Sequence, residues 1–252
     1  MKKHIIIFAA AIAPLAFFSC KKETVENQTN PATNEITFKP IVKPVIDIKS
    51  KLVGLYAFDG NLKEQTGQLA DAVPYDNWTA VYTDDRKGNP NAAIKFTGRY
   101  GLDMNIPIDK NMSVAAWVKY DVTAGIFPNY FVTSQVLCPD FAQDADTYAG
   151  VVSTPTTSSV HSAPVDNQWH HLVATYDGKE LKFYVDGNYV GTSLNVSNAP
   201  PFLPGATIHY QVGYLTPLGG KIPSSTWFGS MDDLRFYTRV LSSADVQALY
   251  QL

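Results

Sequence analysis

The chain has 252 residues, 45% of them hydrophobic and 17% charged, with a formal net charge of −3. That is the composition of a globular chain, and the slight acidic excess lacks the basic surplus that phosphate-backbone binding requires, so nucleic acid is not an expected partner. The two cysteines, Cys20 and Cys138, form no Cys-x-x-Cys pair, which leaves thiolate metal binding without support.

Met1-Lys2-Lys3-His4 carries positive charge ahead of an apolar run from Ile5 to Phe18, the layout of a secretory signal peptide. The run is too short to span a bilayer comfortably. It ends in Phe17-Phe18-Ser19-Cys20, which resembles a bacterial lipobox. The resemblance implies a signal peptide over residues 1–19, with Cys20 lipidated as the first mature residue. An ordinary cleavage site beside an incidental cysteine is the alternative. Two acyl chains hold a protein on a membrane durably, so the expected location is the cell envelope, at the outer membrane, periplasmic or surface-exposed, with the lipid as sole membrane contact. Lipidation of Cys20 would leave Cys138 without an intramolecular partner, as a small buried apolar residue.

Residues 20–50 are rich in Lys, Glu, Thr, Asn and Pro, with Pro31, Pro40 and Pro44 breaking any regular period. They read as a flexible tether. Within them Ile36 to Ile48 is a candidate edge strand, confined to a periphery by its prolines.

Residues 51–252 alternate in short runs between turn residues, which predicts a sandwich or barrel of antiparallel strands. Leu52, Gly54, Tyr56 and Phe58 would share one face of a first strand, and Val114, Ala116 and Val118 belong to a strand apolar on both faces. From Trp169 to Val190, Asp177-Gly178 and Asp186-Gly187 each separate alternating runs, as the positive φ angles of two-residue hairpins demand. The meander puts Leu181, Phe183 and Val185 on one face, Lys182 and Tyr184 on the other. Trp169 heads its strand as an expected core residue, and adjacent His170 and His171 project to opposite faces, so they cannot share an ion. A short helix follows Leu241, with Ser242 as N-cap, Asp245 as capping-box partner, and Val246, Leu249 and Tyr250 on its apolar side.

Four blocks in order, Leu55 to Asn61, Ser113 to Lys119, Trp169 to Val190 and Gly229 to Ser242, resemble the laminin G-like/pentraxin-like group of the concanavalin A-like lectin and glucanase superfamily. The resemblance implies an all-β, two-sheet antiparallel jelly roll with rim loops free for ligands. The superfamily holds sugar-binding modules, adhesion domains and hydrolases, so fold alone does not settle function.

Hydrolases of this fold usually carry a Glu-x-Asp-x-Glu strand, absent here; the domain's glutamates are Glu64 and Glu180, and no Gly-x-Ser-x-Gly elbow occurs. A non-catalytic protein is expected, with a glycoside hydrolase built on an atypical carboxylate pair among the domain's many Asp residues as the less favoured alternative. The resemblance also implies a structural calcium between the loop after the first strand and the last strand, with Asp59, Asn61, Glu64 and Asp232 at the matching positions. Glu64 departs from the usual shorter Asp. The alternative is that Asp59 and Asn61 serve the turn and Asp232 pairs with Arg235 or another base. For ligand contact, Tyr75-Asp76-Asn77-Trp78 combines two rings with a carboxylate and an amide in a loop behind Pro74, the mix that sugar recognition uses. Tyr130, Tyr148 and Trp227 occupy other long connections. The expected partner is a polysaccharide or glycan, with an envelope protein as the alternative.

Overall fold

In the computed structural model the structure describes residues 46–125, 129–135, 138–144, 146–152, 157–194, 205–217, 220 and 222–252, and the backbone of 26–29 and 36–39. The signal segment and Cys20 lie outside these residues. The chain divides at Val45 and Ile46 into two units. In the first, β1 (Glu26–Thr29) and β2 (Ile36–Lys39) pair as an antiparallel hairpin, Glu26 opposite Lys39. Ile36 to Lys39 is thus a strand, paired within the stretch read as tether.

The second unit begins with β3 (Leu52–Tyr56), β4 (Val73–Pro74), β5 (Val81–Thr83), β6 (Ala93–Thr97), β7 (Leu102–Pro107) and β8 (Met112–Tyr120). It continues through β9 (Asn129–Thr133), β10 (Pro139–Asp144), β11 (Thr147–Val152), β12 (Ser158–Pro164), β13 (His170–Tyr176), β14 (Glu180–Val185) and β15 (Asn188–Leu194). It closes with β16 (Thr207–Val212), β17 (Tyr214–Leu215), β18 (Ser225–Thr226), β19 (Phe228–Tyr237) and helix α1 (Ser243–Tyr250). One sheet runs β12-β11-β10-β9-β16-β7-β4, seven strands; the other runs β15-β14-β13-β8-β19-β6-β5, eight strands, with β3 also on β19. The pairings that join these strands are antiparallel. This is the two-sheet jelly-roll sandwich that the family resemblance implied, and the first of the two architectures, sandwich or barrel, that the alternation left open.

The space between the sheets is filled by the inward half of each alternating strand. Val114, Ala116 and Val118 of β8, Leu172 and Ala174 of β13, and Leu181 and Phe183 of β14 meet Phe131, Phe141, Tyr148 and Tyr210 of the opposite sheet. Trp227 lies at the centre, its ring 4.6 Å from that of Phe131 and 5.7 Å from that of Phe96, and its Nε1 donates to Gln143 Oε1 at 3.2 Å. Tyr148 and Trp227, candidates for ligand contact from their loops, are fully buried core residues instead. Cys138 is buried as expected, and burial pushes its thiol up to about 12.

The outer face of the eight-stranded sheet carries a second cluster, Ala115, Val173, Tyr184 and Tyr237 under Val246 and Leu249 of α1. Ser242 and Asp245 form the expected capping box. Tyr250 stacks on Trp117 at 5.5 Å. A register shift between Phe236 and Tyr237 flips the start of β3, so Leu52 packs with the helix cluster and Val53 with the core that holds Tyr56. A bulge therefore separates Leu52 from the face assigned to it by strict alternation.

Asp186 and Gly187 both have positive φ, at 49° and 78°, between paired Val185 and Asn188, as the hairpin reading required. The other turn is built differently. Gly178 has φ 93° while Asp177 uses its Oδ1 to accept from Lys179 N at 2.9 Å and Glu180 N at 2.7 Å. Asp177 braces this turn from its edge.

Candidate functional site

Tyr75, Asp76 and Asn77 form one 3-10 turn directly after β4, with φ of 50° at Asp76 and 55° at Asn77. This left-handed step is one that Asp and Asn tolerate better than most residues, and it turns the four candidate side chains in different directions. Trp78 turns inward and is half-buried: its ring stacks on Phe96 at 5.7 Å and packs against the core. Asp76 and Asn77 are exposed. Tyr75 lines a cavity of about 250 Å3 on the outer face of the seven-stranded sheet.

The cavity's other walls come from strands far away in sequence. Asp103 of β7 and His209 and Gln211 of β16 alternate with core residues Leu102, Met104, Ile208 and Tyr210, so they point outward, where β7 and β16 pair. The Tyr75 ring lies 4.7 Å from that of Tyr214. Tyr214 donates its hydroxyl to Asp103 Oδ1, which also meets His209 Nε2 at 2.9 Å. That bond raises the His209 pKa, against partial burial that lowers it. Gln135 Nε2 donates to Gln211 Oε1 at 2.9 Å and to Thr216 O at 2.7 Å, and Thr216 N donates to Gln211 Oε1 at 3.1 Å. Thr216 Oγ1, also on the cavity wall, is buried without a partner.

Gly213 makes this arrangement possible. Its φ is 82°, and a Cβ there would stand 2.1 Å from the Phe96 ring. Only glycine fits the break that ends β16 and brings Tyr214 to Tyr75. Beyond the break Leu215 lines a second cavity of about 360 Å3, with Tyr130, Asp144 and His161 among its walls. Gln143 Nε2, buried and unpartnered, belongs to that second cavity.

Of the four calcium candidates, Asn61, Glu64 and Asp232 have side-chain partners of other kinds. Asn61 Nδ2 donates to the Asp59 carbonyl at 2.7 Å, and Asn61 Oδ1 accepts from Lys63 N at 2.9 Å. Glu64 accepts backbone N–H bonds from Leu55 and Thr66 on Oε1 and from Gly67, Gln68 and Leu69 on Oε2. Burial opposes its charge, but the amides outweigh it and hold the carboxyl below the usual range. Its longer side chain thus pins the loop. Asp232 is paired with Arg86, which also meets Asp233 at 2.9 Å. Among the described residues no three acidic, histidine or cysteine side chains stand where one ion could join them.

His170 and His171 do diverge. His170 bonds Asp186 at 2.8 Å and Asp166 at 3.1 Å, while His171 lies between Trp117 and Tyr250. Trp169 is half-buried rather than core, with Lys119 Nζ 5.6 Å from its ring centre.

Two antiparallel sheets in jelly-roll order, a closing helix and cavities on one outer face define a concanavalin A-like sandwich. Residues 91–247 match the laminin G 3 family model of the concanavalin A-like lectin/glucanases superfamily, and the chain belongs to that family. No curated protein matches it. Among solved structures it is similar to domain 4 of AbnA, a GH43 extracellular arabinanase from Geobacillus stearothermophilus in complex with arabinotriose, at 21% identity and TM-score 0.56, covering 80% of this chain and 99% of that one. It is also similar to the receptor binding domain of botulinum neurotoxin D, at 15% identity and TM-score 0.61, covering 81% of this chain and 53% of that one. A botulinum neurotoxin type C structure, whose cell entry depends on two ganglioside molecules, matches at 13% identity and TM-score 0.56, covering 81% of this chain and 51% of that one. The chain spans about half of each toxin structure, and identities this low speak to the fold.

Proposed function

We propose that the domain is a non-catalytic glycan-binding module, held at the cell envelope by a lipid on Cys20, which takes a sugar unit in the cavity between Tyr75 and His209. The observation that carries this reading is the convergence of the paired Tyr75 and Tyr214 rings with Asp103, His209, Gln135 and Gln211 in one open cavity. Aromatic faces cover the apolar side of a sugar while fixed donors and acceptors meet its hydroxyls. The arabinotriose bound to the arabinanase domain and the gangliosides named for the toxin supply the same class of partner on the same fold.

A binding role rather than hydrolysis is favoured by the acids. Glycoside hydrolysis uses two carboxyl groups about 5–9.5 Å apart across the scissile bond. Among the described residues, the Tyr75 cavity is lined by one carboxylate, Asp103, and the neighbouring cavity by one, Asp144.

The full-length chain titrated with arabinan and other neutral polysaccharides is expected to bind at least one of them. Tyr75→Ala and Asp103→Asn should each weaken that binding by about tenfold or more, the loss of one stacked ring or one charged hydrogen bond. Trp78→Ala should lower the melting temperature, with affinity of the folded fraction retained. Silence across the panel, with capture of an envelope protein that Tyr75→Ala leaves intact, would move the role to protein adhesion. For the anchor, radiolabelled fatty acid should enter the wild-type chain in cells and not Cys20→Ala; equal labelling would remove the lipid from the reading.

A further inference from the structure

The outer face of the eight-stranded sheet carries a row of side chains that the sandwich itself does not use. Ser230 of β19 stands directly opposite Lys119 of β8 on one side and Lys95 of β6 on the other, and Lys95 stands opposite Val81 of β5. His170 faces Val118, so the residue before it, Trp169, extends the row past Lys119. The order across the sheet is Val81, Lys95, Ser230, Lys119, Trp169. The ends are apolar: Val81 is 42% exposed, and the Trp169 ring is half-buried.

The middle is a pit. Strands lie about 4.8 Å apart, so the two lysine stems rise about 10 Å from one another on either side of a serine too short to fill the gap. A cavity of about 230 Å3 results, with Thr83, Asp121 and Asn167 on its rim. Like charges flanking one small residue repel, and the row itself carries no carboxylate. Asp121 is the cavity's acid, and its carboxylate accepts from Thr123 N at 3.2 Å and Thr123 Oγ1 at 2.6 Å. Both lysine charges act on Asp121 and help hold its carboxyl below the usual range, after its bonds to Thr123, and Lys119 rests over the Trp169 indole. Two cations and one anion leave the pit a single positive charge in excess, with a hydroxyl at its floor and apolar shoulders on both sides.

We propose that this row is an anion subsite that takes the carboxylate of a uronic acid unit between Lys95 and Lys119, with the sugar ring lying toward Trp169. One carboxylate matches the single excess charge, its two oxygens match two ammonium groups approaching from opposite sides, and the indole supplies the face that a free anion would not need. The identity of the carrier as a glycan rests on the reading of the Tyr75 cavity. The site itself lies on the opposite sheet, so an acidic polysaccharide would meet the domain on two faces.

The experiment is a titration of the isotopically labelled full-length chain with trigalacturonate, following the backbone amides of Lys95, Lys119 and Ser230 and the indole N–H of Trp169 by NMR. Saturable shifts at these positions are expected, weakened about tenfold by Lys95→Gln with Lys119→Gln, and weakened when salt rises from about 0.05 to about 0.5 M. Trp169→Ala should weaken trigalacturonate and leave inorganic sulfate unaffected. Tyr75→Ala should leave the trigalacturonate shifts unchanged while weakening neutral-glycan binding about tenfold or more, so failure of either site is read separately. Shifts confined to the Tyr75 cavity, equal affinity in the double lysine variant, or sulfate binding as tightly as trigalacturonate would overturn the proposal.

Discussion

Arg86→Ala is expected to destabilise the domain by about 3–5 kcal/mol, the range for removing one partner of a buried ion pair. Arg86 and Asp232 have side chains only 9% and 5% exposed, and Arg86 also lies 4.8 Å over the Trp117 ring, so its loss removes a charge partner and a packed surface together. Burial first, and the neighbouring Asp233 second, already push the Asp232 carboxyl up to about 7, with Arg86 opposing them. A carboxyl whose folded pKa lies above its unfolded value contributes stability in acid that is lost as pH rises through the folded pKa. Without Arg86 that pKa climbs further. The deficit of Arg86→Ala, measured by denaturant unfolding, should therefore be larger at pH 8 than at pH 5, and Arg86→Lys should recover part of it. A loss below about 1 kcal/mol at pH 8 would mean that the pair behaves as an exposed one.

The second large effect is acid sensitivity through His171. Neither ring nitrogen has a hydrogen-bond partner, and burial, then the charge of Arg235, push its pKa down to about 3 from 6.5. A histidine with a depressed folded pKa contributes stability above its unfolded pKa that is lost as pH falls towards the folded one. Each pH unit within that window costs about 1.4 kcal/mol. His171→Leu, close in volume, removes the titration. The stability difference between wild type and His171→Leu should thus move by about 2 kcal/mol in favour of the variant between pH 6.5 and pH 4.5. A difference that stays constant with pH would show that the imidazole is hydrated or protonated in the folded protein. Arg86, Asp232, Arg235 and His171 all lie under or beside α1, so both experiments probe how the helix seals that face.

The strand architecture was legible because alternation is a local property. In β14, Leu181 and Phe183 reach the core while Tyr184 reaches the helix cluster, as period two requires. The capping box over Ser242 and Asp245 is likewise a matter of three residues' spacing. Local rules failed where one residue was inserted or one φ changed sign: the bulge that moves Leu52, and the left-handed step at Asp76 and Asn77 that sends Trp78 inward while Tyr75 stays at a cavity.

Of the candidate site only Tyr75 was visible, for the same reason. Tyr75 stood out by its company in a loop, whereas Asp103, His209 and Gln211 read as ordinary outward residues of alternating strands, and Tyr214 as one more aromatic. By itself the sequence determined the first strand, the strand through Val114 and the meander from Trp169 to Val190, which way most of their residues face, and that no opposed pair of glutamates lies on one strand; β9 to β12, by contrast, run through stretches that read as long connections around Tyr130 and Tyr148. Only the tertiary structure decided that β7 lies against β16, that Gly213 turns Tyr214 onto Tyr75, and that Asp232 meets Arg86 rather than the loop of Asp59. Pairing joins residues more than a hundred positions apart, and no periodicity within a strand encodes which neighbour it will find.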